Sequence, residues 1–243
     1  MVPWGSALLL LFCYVAYRAC TLSFTHDESL SYTIFASHSG WITSANHHPL
    51  NTWLMELWSR LFGDSEFSLR LHSVAAFAVA AGVFLRYGPG RLGTFASLVG
   101  FALLFLNPFA LEFFSLARGY GLAMGFIAAS LHFLLWSEYT APIRWLAAIS
   151  MAALAVSANL AAINLLAAIL IVAGVEMALT ARASRRDLWI CLGALGLGFT
   201  VLLIAIRWIL YLGSLGQLGS GAASIREAVL GLTAASVGGG GAG

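Results

Sequence analysis

Two adjacent carboxylates, Asp27 and Glu28, come directly after the first apolar stretch of the chain. Charged side chains at a membrane surface are costly unless they face water, bind a cation or act as acid and base. The pair is therefore a candidate for proton transfer or for cation binding. A solvated pair of loop charges also explains an Asp-Glu dipeptide, so both interpretations stay open.

Two adjacent imidazoles, His47 and His48, precede Pro49 in the segment Asn-His-His-Pro-Leu-Asn at 46–51. Imidazole nitrogens can ligate a metal or contact a phosphate. The spacing matches no zinc motif, however. Polar loop residues that lead into a surface helix are the alternative interpretation of this segment.

Three further charged residues lie next to apolar stretches, namely Arg70, Glu112 and Arg118. A guanidinium in such a place can hold a phosphate through two parallel hydrogen bonds. Two alternatives remain at this stage. Glu112 and Arg118 are close enough along the chain to pair with each other, and Arg70 could extend toward water from a helix end.

The composition shows which elements must position these residues. The chain has 243 residues, of which 60% are hydrophobic and 9% charged, whereas a soluble domain carries about 25% charged residues. Four stretches lack Asp, Glu, Lys and Arg, and they are 92–111, 119–137, 145–175 and 188–206. A bilayer-spanning helix needs about 20 apolar residues. The sequence therefore predicts an all-α, polytopic membrane helix bundle.

Two other classes are excluded. The net charge is +2 without a phosphate-tracking basic surface, so no nucleic-acid partner is expected. The three cysteines form no CxxC motif, which argues against a disulfide scaffold. The apolar run at the start is predicted to be a retained span and not a signal peptide, because its first basic residue, Arg18, follows the run.

Polar and turn-forming residues divide the chain into about seven predicted spans. Ser157, Asn159 and Asn164 mark a turn inside the longest uncharged stretch. The predicted spans are 3–23, 69–86, 92–111, 119–137, 143–158, 161–180 and 188–212. Together they form a transmembrane module over 1–212, followed by a Gly- and Ser-rich external tail over 213–243. The arginine cluster at 182–186 favours a cytoplasmic N-terminus.

The segment 23–69 is the longest polar connection, and it carries half of the ten acidic residues. Apolar residues at helical spacing within 51–62 predict a helix along the membrane surface. Gly63 is expected to end that helix, and Asp64 and Ser65 to cap the next one. Because spans one to four form two hairpins, the 23–69 segment and the 107–119 loop should emerge on the same side.

Four of these segments, taken in order, resemble the N-terminal half of the GT-C glycosyltransferases. These multi-spanning enzymes take sugar from a polyprenyl-phosphate carrier, and the likeness is to the protein mannosyltransferase and lipid A aminoarabinose transferase branch. It covers about residues 20–137. The segments are Asp27-Glu28, His48-Pro49-Leu50, 61–73 with Arg70, and 107–122 with Arg118. Leu116 stands where the family has a glutamate, which leaves Glu112 as the candidate in its place.

The resemblance implies a set of site residues and a cofactor. The site residues are Asp27 and Glu28 for catalysis, Arg118, Arg70 and Tyr120 for the donor phosphate, and Asp27, Glu112 and His48 for a metal. Carboxylate ligands favour Mg²⁺ or Mn²⁺, and the neighbouring imidazoles make Zn²⁺ the alternative. Asp27, Glu112 and His48 are expected to converge on one outward-facing cavity that Arg118 also lines. If they do not, each acidic residue should instead pair with its nearest arginine.

The implied function is transfer of a sugar from a polyprenyl-phosphate donor to a lipid, glycan or protein acceptor, at the outer face of a bacterial inner membrane. The family's members are about twice as long, so a fragment, a minimal relative and a module completed by a second chain all stay open. The alternative function is a non-catalytic membrane module that binds a lipid-linked sugar or assembles with a partner chain. A transporter is disfavoured because the acidic residues lie at span ends and not at mid-membrane.

Overall fold

The computed structural model describes residues 4–37, 47–91, 93–135, 140–179 and 184–216, and every regular element in these ranges is a helix. The predicted tail lies outside the described residues from 217 onward, and so do Arg182 and residues 38–46 of the long polar segment. The ten α-helices of the described ranges are α1 (Trp4–Thr21), α2 (His26–Ala36), α3 (Pro49–Phe62), α4 (Glu66–Arg91), α5 (Gly93–Phe105), α6 (Pro108–Ser115), α7 (Tyr120–Leu135), α8 (Ala141–Ala158), α9 (Ile163–Leu179) and α10 (Arg185–Ser214).

An all-helical bundle with several helices that could span a membrane is confirmed among the described residues, whereas the predicted count of seven spans is not. Five of the described helical segments are long and apolar enough to cross a membrane, and they are α1, α4, α8, Leu160–Leu179 and α10. A sixth is added if α5 and α6, which are bent by 52°, form one span. The remaining apolar helix, α7, has only 16 residues. Each predicted span nevertheless coincides with a helix or with the bent α5–α6 pair.

The predicted helix boundaries follow from local capping. Asn159 divides the longest uncharged stretch, because its side-chain oxygen accepts a hydrogen bond from the backbone N–H of Ala161 (2.9 Å) and starts a new turn. Gly63, at φ 82°, ends α3 in a backbone conformation that favours glycine. Ser65 then accepts a hydrogen bond from the backbone of Ser68 at the start of α4 (3.2 Å).

Two apolar cores hold the bundle together. One is rich in phenylalanine and is built around Phe77, with Phe105 and Phe114 at ring-centroid distances of 5.6 and 5.3 Å. The other packs α8, α9 and α10 through smaller side chains, and Phe126 of α7 contacts both cores. On the outside, α10 exposes residues such as Leu203, as expected of a surface that faces lipid.

Contacts between helix ends define two ends of the bundle. At one end, which we call the site end, Arg70 of α4 donates a hydrogen bond to the carbonyl of Leu22 after α1 (2.7 Å). At the other end, Arg91 donates to the carbonyl of Leu135 (3.0 Å). The described parts of 23–69 and 107–119 contact each other at the site end, as the hairpin argument predicts.

Candidate functional site

The short helix α2, which was not predicted, carries the two adjacent carboxylates in its first turn. Thr25 is the N-cap, and its side chain accepts a hydrogen bond from the backbone N–H of Glu28 (3.4 Å). The Glu28 carboxylate in turn accepts from the backbone N–H of Thr25 (3.0 Å). This reciprocal arrangement is a capping box, whose Thr-x-x-Glu pattern was the available signal.

Glu28 and Arg70 form a fully buried ion pair. The guanidinium donates from Nε to Oε1 (2.7 Å) and from Nη2 to Oε2 (2.8 Å), and both side chains are 0% exposed. The other three N–H groups of Arg70 donate to backbone carbonyls, those of Ala19, Leu22 and Ser23 (3.1, 2.7 and 3.2 Å). All five donors of the guanidinium therefore have protein acceptors, and the interpretation of Arg70 as a helix-end arginine in water is wrong.

Glu28 also holds the segment that carries Arg118. Its Oε1 accepts a hydrogen bond from the backbone N–H of Ala117 (2.8 Å). Burial alone would raise the pKa of Glu28, but hydrogen bonds from Arg70 and from the backbone N–H groups of Thr25 and Ala117 outweigh that effect and hold the pKa below its ordinary value. Glu28 is consequently an anion at neutral pH, and it links α2, α4 and the segment before α7.

Asn51 clamps the same segment from the other side. Its Nδ2 donates to the carbonyl of Ala117 (2.8 Å), and its Oδ1 accepts from the backbone N–H of Gly119 (3.1 Å). These two bonds fix the orientation of the amide, so His72, whose Nε2 lies 2.8 Å from Oδ1, must be the donor to it. Asn51 is 0% exposed and was not predicted as a site residue.

Gly119 allows the clamped segment to lie against α8. Its φ is +77°, and a Cβ added there would lie 2.4 Å from the carbonyl oxygen of Ala158 and 2.8 Å from the His48 ring. Only glycine fits this position without a shift of the backbone. The two clamps and the glycine together fix the position from which Arg118 reaches α2.

Arg118 forms an ion pair with Asp27 at the site end. Their side chains are 28% and 27% exposed, so both retain access to solvent. The guanidinium carbon also lies 5.7 Å from the centroid of the Tyr120 ring, which stacks on Phe113 at 4.6 Å. The suggested pairing of Arg118 with Glu112 is wrong, because its partner is Asp27.

His48 joins this group. Its ring is 8% exposed and lies 5.2 Å, centroid to centroid, from that of Tyr120. Burial lowers the pKa of His48 to about 4, and the nearby charges of His47 and Arg118 act in the same direction, against the opposing charge of Asp27. The imidazole is therefore neutral at pH 7.

Two cavities lie at this end of the bundle and have Leu160 in common, but only the first is lined by members of the group, His48 and Tyr120. The first, which we call the polar pocket, has a volume of about 410 Å³. The other, which we call the apolar groove, has a volume of about 600 Å³. The polar pocket is lined by His47, His48, Tyr120, Asn159, Leu160, Ala161, Ile163, Asn164, Ile209 and Leu212. The apolar groove is lined by Pro49, Val156, Ser157, Leu160, Val201, Ile204, Ala205, Arg207, Trp208 and Tyr211.

The structure brings the predicted site residues together in two groups. Asp27, Arg118, Tyr120 and His48 form one group beside the polar pocket, whereas Glu28 and Arg70 form a separate, solvent-free pair. In the described part of the chain, the Glu112 carboxylate on α6 makes no hydrogen bond or ion pair with any member of either group.

The three predicted metal ligands, Asp27, Glu112 and His48, are not grouped together among the described residues. No group of three or more His, Cys, Asp and Glu side chains that could hold a metal occurs among the described residues. The carboxylate of Asp27 is bound to Arg118 instead. The metal therefore stays a prediction.

Three residues of this end of the bundle were not predicted as site residues, namely Asn51, Asn159 and Arg207. Asn51 stands next to the His-Pro-Leu motif, and a polar residue at the buried positions of a surface helix was the available signal. Asn159 was predicted only as a turn residue, and nothing in the pattern around Arg207 indicated that it lines a groove. No protein-family model matches the chain, and neither a curated protein nor a solved structure matches it.

Proposed function

We propose that this chain is a membrane glycosyltransferase of the GT-C type, which transfers a sugar from a polyprenyl-phosphate donor to a hydroxyl acceptor. One observation carries the proposal: a polar pocket meets an apolar groove at Leu160, and Tyr120 of the pocket contacts the guanidinium of the solvent-accessible Arg118–Asp27 pair. A lipid-linked sugar has these same two parts, a polar ring and an apolar chain. The anionic phosphate that joins them fits an arginine.

In the proposed reaction, the Asp27 carboxylate accepts the proton of the acceptor hydroxyl. The acceptor oxygen forms a bond to the anomeric carbon, and the bond from that carbon to the phosphate oxygen breaks. The electron pair leaves with the phosphate, and the guanidinium of Arg118 stabilises its charge. Arg118 must leave Asp27 to do so, and the Tyr120 ring supports it on the other side.

Glu28 and Arg70 have a different role in this proposal from the one that the resemblance implies. Their polar atoms are occupied by each other and by the backbone, so we assign them to positioning Arg118 and not to substrate contact. A divalent metal held by Asp27, His48 and Glu112, with Mg²⁺ or Mn²⁺ favoured over Zn²⁺, is part of the proposal only as a prediction. No step above depends on it.

The proposal includes the location. The site end lies at the outer face of a bacterial inner membrane, and the N-terminus is cytoplasmic. The chain crosses this membrane seven times, with α5 and α6 together forming one span. The acceptor is a lipid, a glycan or a protein, and a second chain completing the fold is compatible with this arrangement. The pairing of Asp27 with Arg118 favours the alternative of a module that binds a lipid-linked sugar without catalysis, because the candidate base is engaged.

Donor consumption by the purified chain in proteoliposomes tests the proposal. Release of polyprenyl phosphate is measured for several lipid-linked sugars, with water and added alcohols as acceptors. We expect turnover, and Asp27→Asn should lower it by a factor on the order of 10², as for loss of a positioned base. Asp64→Asn is the matched control, because Asp64 is a surface carboxylate that accepts a hydrogen bond from Tyr32.

Two results would contradict the proposal in different ways. Near-normal turnover of Asp27→Asn would remove Asp27 as the base. Donor binding without turnover of any donor would favour the non-catalytic module.

A further inference from the structure

The polar pocket has a lining that is polar but carries no carboxylate and no guanidinium. Its polar groups include the hydroxyl of Tyr120, the amides of Asn159 and Asn164 and the ring of His48, and apolar side chains such as Ile209 complete the wall. Hydroxyl and amide groups both donate and accept hydrogen bonds. Such a lining suits a ligand that carries hydroxyl groups and apolar C–H faces, which describes a sugar ring.

Asn159 supplies an independent sign that the pocket takes a ligand. Its side-chain oxygen is used, because it accepts the backbone hydrogen bond of Ala161 at 2.9 Å. The orientation of the amide is thereby fixed, and Nδ2 is buried without a hydrogen-bond partner in a residue that is only 7% exposed. A buried donor without an acceptor is costly, and because Asn159 lines the pocket, a ligand oxygen that reaches Nδ2 through a small local shift would recover that cost.

The volume and position of the pocket agree with this role. About 410 Å³ lies within the range of small-molecule sites, roughly 300–1,000 Å³. Through Leu160 the pocket borders the apolar groove, and through Tyr120 it borders the Arg118 guanidinium. A ring in the pocket therefore has room for an apolar chain on one side and a cation for an attached phosphate on the other.

We infer that the polar pocket is the sugar subsite and that it selects an uncharged sugar over an amino sugar or an acidic sugar. This inference rests on the proposed function and narrows its substrate class. An ammonium group in the pocket would lose its hydration without gaining a carboxylate, and an acidic sugar would likewise gain no guanidinium from the lining. An uncharged ring loses only hydrogen bonds to water, which the amides and the tyrosine replace.

Photocrosslinking with alkyl glycosides tests the inference without requiring turnover. The full chain is placed in nanodiscs without sugar detergents and labelled with a photoreactive alkyl glucoside, and the labelled residues are mapped by mass spectrometry. We expect labels on residues of the polar pocket, within 159–164 and at Tyr120, Ile209 or Leu212. An alkyl glucoside should compete for labelling at least tenfold better than the alkyl 2-amino-2-deoxyglucoside of equal chain length.

Asn159→Asp tests the selectivity directly. The change keeps the side-chain oxygen that caps Ala161 and replaces the unpartnered amide by a carboxylate, so the amino glycoside should become the better competitor. Asn164→Asp, at an exposed position near the start of α9, is a second variant with the same expected direction. Asn107→Asp is the matched control, because Asn107 caps α6 in the same manner (Phe109 N–H to Oδ1, 3.0 Å) but does not line the pocket.

Equal competition by the two glycosides in the wild-type chain would overturn the inference. Labels that lie outside the pocket, or a preference that neither pocket variant changes, would overturn it as well. The proposed function is decided separately, by donor consumption. If the chain prefers the neutral glycoside in a manner that depends on Asn159 but consumes no donor, the proposed function is wrong and the neutral-sugar site stands. If the chain consumes donors and the glycoside preference does not depend on Asn159, only the present inference is wrong.

Discussion

Glu28→Gln should strongly destabilise the fold, although it changes only one atom and a charge. The substitution keeps the size of the side chain and leaves the Arg70 guanidinium buried without its counter-ion. One carboxamide oxygen can replace Oε1, which accepts from Arg70 Nε and from Ala117. The new NH₂ group then faces the three donors that Oε2 accepts from, which are Arg70 Nη2 and the backbone N–H and hydroxyl of Thr25.

The magnitude follows from the two N–H hydrogen bonds to Oε2 that are lost, because the Thr25 hydroxyl can rotate to accept from the new NH₂ group. Bonds to charged groups contribute about 1.5–3 kcal/mol each, and removing one partner of a buried ion pair costs about 3–5 kcal/mol. We therefore expect Glu28→Gln to lower the free energy of unfolding by about 3–5 kcal/mol. The double variant Glu28→Gln/Arg70→Gln should lose less than the sum of the single variants, because it no longer buries an unpaired charge.

Unfolding in mixed micelles by added dodecyl sulfate, followed by circular dichroism, measures these differences. Glu56→Gln is the matched control: its carboxylate pairs with Arg60 on the surface of α3, where the Arg60 side chain is 72% exposed. That pair contributes about 0.3–0.5 kcal/mol. A Glu28→Gln variant as stable as Glu56→Gln would refute the reasoning, because the Arg70 guanidinium would then be stabilised in the core without the Glu28 carboxylate.

The pH dependence gives a second check on the same pair. The pKa of Glu28 lies below its ordinary value of 4.5, so the folded chain binds fewer protons than the unfolded chain in acid. The stabilisation is therefore fully present above about pH 4.5 and is lost as the pH falls through the lowered pKa. The difference between wild type and Glu28→Gln should be constant near neutral pH and should shrink below pH 4.5.

Three further predictions concern the residues around Arg118. Arg118→Lys keeps the charge but loses the planar guanidinium, which can donate two parallel hydrogen bonds to a phosphate. The apparent affinity for a polyprenyl-phosphate donor should therefore fall. An unchanged affinity would mean that Arg118 has only a structural role. Gly119→Ala should lower the free energy of unfolding by about 1–3 kcal/mol, because Gly119 has a positive φ and an added Cβ would meet the carbonyl oxygen of Ala158. Gly82→Ala is the control and should be tolerated, because an added Cβ meets nothing within 4 Å there. Because the pKa of His48 is lowered to about 4 from 6.5, the unfolded chain binds more protons than the folded chain between these pH values. The free energy of unfolding should therefore decrease as the pH falls from 6.5 toward 4. His48→Gln should reduce that pH dependence.

The helices of the bundle were predictable because their signal is local and long. A stretch of uncharged residues such as 145–175 has few stable alternatives to a helix in a membrane, and the break at Asn159 follows from a side chain that caps its own neighbour. Helix α2 was missed because it has only 11 residues and no apolar stripe. Its one clear signal is the spacing of Thr25 and Glu28.

The pairing of charges was not predictable, because it depends on contacts between distant parts of the chain. Proximity along the sequence suggested Glu112 as the partner of Arg118, whereas the structure pairs Arg118 with Asp27. Glu28 and Arg70 are 42 residues apart, and nothing local indicates that both are fully buried. The prediction that each acidic residue pairs with an arginine describes these two carboxylates better than the prediction of a shared metal does.

The acceptors of Arg70 have a consequence for how the chain enters a membrane. All of its hydrogen bonds go to residues that precede it, from Ala19 to Glu28. When the start of α4 leaves the ribosome, every group needed to neutralise this arginine has already been synthesised. The part of the chain from α1 to α4 can therefore pair this charge before α5 to α10 exist, and only the bond from Ala117 to Glu28 must wait. The guanidinium thus needs no partner from the later helices to satisfy its hydrogen bonds during insertion.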